Sequence, residues 1–199
     1  MVPPTQSDRF EQSNTRRSRL RELTSRAHAS LDNLIGQFGS LADYERYLVG
    51  IHGFRIPVEE QFAAINWPGV FGHWRPQLIG KALRADMIDL GLTPFLNAES
   101  PELPRNVESL LGQLYVLEGS SLGARILYRR AQGIGLSQNY GARHLALQTG
   151  ASDNWRKFLV ILEQAAPVEL AGVVTASNAV FYTAEQAFRK AEHVSRRPG

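Results

Sequence analysis

Apolar positions along this chain recur every three or four residues, in blocks. Leu20, Leu23, Ala27, Leu31, Leu34 and Ile35 mark one side of the first block. Leu110, Leu111, Leu114, Leu117, Leu122, Ile126 and Leu127 run through a longer one. Each helical residue turns the chain by about 100°, so such spacing gathers apolar side chains on one face of a helix. The alternating β-branched runs of strands are nearly absent, and VVTASNAVFY fits helical spacing better. Gly/Pro punctuation separates the blocks at NWPGVFGHWRP (66–76), GLTPFLNAESPELP (91–104), GIGLSQNYG (133–141) and AAPVE (165–169). The pattern predicts helices over about 14–36, 41–65, 76–90, 104–131, 139–148, 153–165 and 168–193. Ser40 ahead of Asp43, and Ser152 ahead of Asp153, are the expected N-caps. No internal repeat or linker divides these helices. The expectation is one all-α domain over residues 14–199, preceded by a disordered tail at 1–13.

Composition then narrows the chemistry. At 199 residues, 43% of them hydrophobic, the chain can bury a full core. No apolar run approaches the roughly 20 residues of a membrane span. The opening MVPPTQSDRFEQ has no apolar stretch typical of a secretory signal, so a cytoplasmic protein without membrane attachment is expected. The absence of cysteine excludes disulfides, thiolate metal sites and a cysteine nucleophile. Basic residues cluster near the ends, as in RRSRLR (16–21), but the net charge is only +3 and exposed aromatics are not interleaved with them. Nucleic acid is therefore not an expected partner. The chain has no Glu-x-x-His, His-Glu-x-x-His or P-loop motif, so a di-iron bundle, a zinc hydrolase and a nucleotide phosphate loop lack their residues. GIGLSQNYG has the glycines of a phosphate loop but no strand before it, and reads as a connection.

Two segments remain unexplained by packing economy. The long block NVESLLGQLYVLEGSSLGARILYRR carries Gly112, Gly119, Ser120, Ser121 and Gly123 in its interior. Each helical glycine costs about 0.5–1 kcal/mol relative to alanine. On a helical wheel the leucines at 110, 114 and 117 share one stripe, and the three glycines fall nearly opposite. Such a bare strip serves either close helix–helix packing or a flat ligand lying against a kinked backbone. The other segment is LRELTSRAHASLDNLI, where His28 sits between Thr24 and Asp32 at four-residue spacing, with Arg21 two turns before it. A histidine among apolar residues is either a satisfied core residue or a metal ligand. Asp32 is placed to accept from one ring nitrogen and fix the ring.

Together these segments resemble the heme oxygenase family, in particular the bacterial forms associated with bacteriophytochromes. LTSRAHASLD resembles the family's proximal helix, and LGQLYVLEGSSLGARIL its Gly-rich distal helix. WRKFL (155–159) and SNAVFYTAEQAF (177–188) are similar to its last two helices. The resemblance implies an all-α heme oxygenase-like bundle in which heme b is both substrate and cofactor, degraded with O2 and external electrons to biliverdin, CO and ferrous iron. It implies His28 as iron ligand and Thr24 and Asp32 beside it. Gly119, Ser120 and Gly123 would stand over the far face of the ring, with Ser120 anchoring a water. Arg21, with Arg156 or Lys157, would meet the propionates. Implied partners are a ferredoxin or flavin reductase as electron donor and a bacteriophytochrome as biliverdin acceptor. Two positions depart from the family pattern: Ala124 replaces the second of a glycine pair, and Ser120 stands where many members have aspartate. Competing readings are a carrier or sensor of the same fold without turnover, and a helical interaction protein that binds no heme.

Overall fold

The computed structural model describes residues 15–95 and 102–195, the last three of these by backbone only. The expected tail at 1–13 lies outside the described residues. The helices are α1 (Arg16–Ile35), α2 (Leu41–Gln61), α3 (Gly80–Asp89), α4 (Val107–Gly119), α5 (Ser121–Gly133), α6 (Arg143–Thr149), α7 (Ser152–Gln164) and α8 (Leu170–Ser195). Short 3-10 turns at Phe62–Ala64 and Gly69–Phe71 follow α2. No strand forms among the described residues, only isolated bridges at Ser137.

Several boundaries move for identifiable reasons. Ser40 caps α2 as expected, accepting from the Asp43 amide at 3.2 Å while donating to the Asp43 carboxylate at 2.7 Å. Ser152 is instead the first residue of α7, behind an Ala151 cap that makes no side-chain bond. The helix expected from residue 76 begins at Gly80, because Glu59 of α2 supplies its cap from outside: the Glu59 carboxylate accepts from the amides of Ile79 (3.0 Å) and Gly80 (2.8 Å). These amides would otherwise lack a helical partner. The long helix expected over 104–131 is two helices, divided at Ser120.

The core is built around α8, which packs on α4, α2 and α1. Leu20, Leu48, Leu111, Leu114, Phe158, Val180 and Ala187 are completely buried in it. Each buried side chain of leucine or phenylalanine size contributes about 1.5–3 kcal/mol. Gly112 lets α4 and α8 touch: a Cβ there would lie 2.6 Å from both the Ala176 Cβ and the Val173 carbonyl oxygen. Ser177 joins the same contact by donating to the Gly112 carbonyl at 3.1 Å. The N-terminal end of α1 is pinned to the far end of α7, where Arg16 Nη1 donates to the carbonyls of Leu162 (2.9 Å), Glu163 (3.2 Å) and Ala165 (2.5 Å). α1 rests mainly on α8, whereas α5 rests mainly on α6.

Candidate functional site

On α1, the face towards the core is set by Leu20 and Thr24, both buried. His28, one turn beyond Thr24, leaves the core: its side chain is 63% exposed. Its Nδ1 lies 3.0 Å from the equally exposed Asp32 carboxylate. Its ring stands edge-on to Phe181 of α8, with centroids 5.8 Å apart. Nε2 has no partner among the described residues. The arrangement fixes one nitrogen and one ring plane and leaves the other nitrogen open.

From Thr24 a line of contacts reaches the break between α4 and α5. Thr24 donates to the Leu20 carbonyl at 2.8 Å, and its side chain lies close enough to Tyr115 on α4 to oppose the rise of that phenol's pKa. Burial raises the Tyr115 pKa, against the opposing effect of Thr24 and of the nearby Arg17 and Arg21. The Tyr115 ring packs at 5.8 Å on Trp155 of α7. The edge of that indole lies 3.7 Å from where a Gly119 Cβ would stand.

The three glycines of the bare strip therefore divide. Gly112 is filled by α8, whereas a Cβ on Gly123 would meet nothing within 4 Å, and Gly119 only the Trp155 edge. Leu122 and Ile126, on the same face of α5 as Gly123, are 59% and 58% exposed. An uncovered strip of backbone beside two exposed aliphatic side chains suits a flat apolar molecule, since it offers both area and close approach. Ala124 points the other way, at 1% exposure, so its methyl group packs in the core and leaves this face unchanged.

Ser120 is engaged within the protein. Its hydroxyl donates to the Leu117 carbonyl at 2.6 Å and accepts from Gln148 Nε2 at 2.9 Å and, at 3.4 Å, from Arg55. These contacts account for the one donor and two acceptor sites of a hydroxyl. Arg21 is exposed on α1 and has no acidic partner among the described residues. On α7, Arg156 pairs with Asp153, and Lys157 is exposed beside it.

Sequence reasoning brought forward His28, Asp32, Gly119 and Gly123, but not Tyr115, Trp155 or Phe181. Tyr115 was within reach, because it lies one turn before Gly119 on the same helix face. Trp155 and Phe181 depend on how α7 and α8 pack, which no local spacing encodes.

No protein-family model matches the chain. It is 33% identical over 159 residues to heme oxygenase PigA of Pseudomonas aeruginosa, spanning 75% of this chain and 78% of that protein. Its fold superposes with a TM-score of 0.74 on the NO- and CO-bound heme oxygenase of Neisseria meningitidis, at 27% identity over 89% of this chain and 92% of the other. With an all-α bundle, an open imidazole and a bare helix strip already in place, these likenesses show that the chain belongs to the heme oxygenase family.

Proposed function

We propose that the protein degrades heme to biliverdin, with His28 as the iron ligand and the Gly119–Gly123 strip against the opposite face of the ring. The observation that carries this reading is the presence together of His28, whose Nε2 is open among the described residues, and of a helix, α5, whose Gly123 has nothing over it. Donor chemistry fits: neutral imidazole takes iron without a thiolate, and the porphyrin itself fills the remaining in-plane positions. Bound heme would supply the iron that takes electrons and O2 and the ring carbon that is oxidised.

The chain's own residues hold and orient the ring. Asp32, 3.0 Å from Nδ1, would favour one tautomer and one plane of the His28 ring. Phe181 limits rotation of that imidazole from the α8 side. Leu122 and Ile126 give the ring apolar contact and exclude water from its far face. Gly119 and Gly123, which carry no side chain, would let the backbone approach the far face of the ring closely. Arg21, with Arg156 or Lys157, would engage the two propionates and set which ring edge is presented; each such exposed pair contributes only about 0–1 kcal/mol, but two fix an in-plane angle. Thr24, buried on α1 and bonded to the Leu20 carbonyl, holds its side chain off the His28 face.

The electron donor in this reading is a ferredoxin or flavin reductase with an acidic face, suited to the exposed Arg17 and Arg19, and a bacteriophytochrome is the acceptor of biliverdin. No described helix is long and apolar enough to cross a membrane. The test is aerobic turnover. Purified protein mixed with hemin is expected to show a sharp Soret band, replaced by biliverdin absorption when reductant is added in air. A stable ferrous-oxy spectrum would favour a carrier or sensor, and colourless protein would remove heme altogether.

A further inference from the structure

Arg55 is 1% exposed, and no ligand-facing role is open to it. It lies on α2 behind the break between α4 and α5. Its Nε and Nη2 hold the Glu59 carboxylate at 2.8 and 2.7 Å, and Nη2 also donates to the Gln77 carbonyl at 3.2 Å. Nη1 donates to the Leu117 carbonyl at 3.1 Å and approaches the Ser120 hydroxyl at 3.4 Å. Glu59 is in turn fixed by the first amides of α3. The guanidinium therefore has a single pose, set by three elements, and one of its edges rests on a carbonyl two residues before Gly119. That carbonyl belongs to the last turn of α4, where acceptors lack helical partners and a cation is favoured by the helix dipole.

The break is held on the same side by further contacts. Glu118, also buried, accepts from the Gln77 amide at 2.7 Å and from Asn154 Nδ2 at 2.9 Å. Gln148 of α6 reaches the Ser120 hydroxyl. On the opposite side the Gly123 strip has no side chain to hold it. Packing alone does not explain a desolvated Arg–Glu pair here, since an apolar pair of similar volume commonly stabilises as well or better. A planar fork with several directed donors does what an apolar pair cannot: it specifies the direction of a carbonyl.

We propose that Arg55 is a positioning residue for the reaction, acting through the Leu117 carbonyl to set how closely Gly119 and Gly123 approach the distal face of the substrate. This inference rests on the heme-degrading reading above. Arg55→Lys keeps the charge without the fork. Arg55→Met combined with Glu59→Gln removes both charges while leaving an acceptor for the α3 amides, in case the single change leaves a buried carboxylate that prevents folding.

Two measurements decide it. In heme-free protein, amide hydrogen exchange across Gly119–Gly123 is expected to speed up by about tenfold, the equivalent of one lost hydrogen bond. In the reconstituted ferrous protein, the C–O stretch of bound CO is expected to shift or broaden, while the iron–histidine vibration and heme affinity stay within about twofold of wild type. Arg55→Lys is expected to restore part of the exchange protection but not the CO band. A folded double variant with wild-type exchange would overturn the proposal. So would faster exchange with an unmoved CO band, because Arg55 would then be a brace with no effect on the ligand. Wild-type protein that binds no heme would overturn the enzymatic reading instead, and the exchange experiment separates the two.

Discussion

Two histidines in this protein face an aspartate through Nδ1, in opposite surroundings. His144 is completely buried, 2.7 Å from the equally buried Asp86. Its other ring nitrogen is occupied by the Tyr47 hydroxyl at 3.2 Å, and Asp86 also accepts from the His144 amide and from Arg143. His28 has the same partner type at 3.0 Å, but both groups are largely exposed and Nε2 is open. A His–Asp pair by itself therefore says nothing about function. What marks a ligand is the nitrogen left without a partner, on a face that the fold leaves uncovered.

The contrast can be broken most strongly at the buried pair. Asp86→Ala leaves Arg143 and His144 without their shared acceptor and is expected to cost about 3–5 kcal/mol, read as a lower urea midpoint. Heme binding by the fraction still folded should be unchanged. The same pair predicts a pH dependence. Burial would raise the Asp86 pKa, but the donors of His144 and Arg143 outweigh it and hold it below its ordinary 3.8. Burial holds His144 below its ordinary 6.5, against the pull of Asp86. In both cases the unfolded chain takes up protons more readily than the folded one, so stability present at neutral pH is lost as pH falls. Thermal melts should decline first below about pH 6.5 and again towards pH 4, with the first step absent in His144→Gln.

At the exposed pair the expected pattern reverses. His28→Ala should change stability by no more than about 0.5 kcal/mol while abolishing the imidazole-ligated Soret band. Asp32→Ala should weaken heme binding by about tenfold with the band retained. The glycines sharpen the comparison further. Gly112→Ala forces a methyl group into Ala176 and the Val173 carbonyl and should cost about 1–3 kcal/mol in denaturant melts. Gly123→Ala meets open space and should stabilise the heme-free protein by about 0.5–1 kcal/mol while slowing biliverdin formation. If Gly123→Ala left turnover intact, the strip would not be the distal wall.

Local information carried the helices well, because each has its own apolar period and its own punctuation. It also placed His28 and Asp32 on one face of α1, since four-residue spacing is a property of any helix. A wheel cannot say which neighbour a face meets, and so it grouped Gly112 with Gly119 and Gly123 although the first lies against α8, the second against the Trp155 edge, and only the third is open. The start of α3 was misread for a similar reason: its cap, Glu59, is 20 residues away in the chain. Arg55 gave no signal, because a charged residue between Phe54 and Ile56 looks like the solvent side of a helix until α2, α4 and the segment around Gln77 close over it.

Arg16 has a practical bearing on shortening the chain. A single guanidinium edge seals three otherwise open carbonyls where α7 ends, and the adjoining Thr15 hydroxyl caps α1 by accepting from the Ser18 amide at 3.2 Å. Deletions that stop before Thr15 keep both fastenings. A cut just past Arg16 removes them together, freeing the base of the helix that carries His28 and uncovering the carbonyls at the C-terminal end of α7.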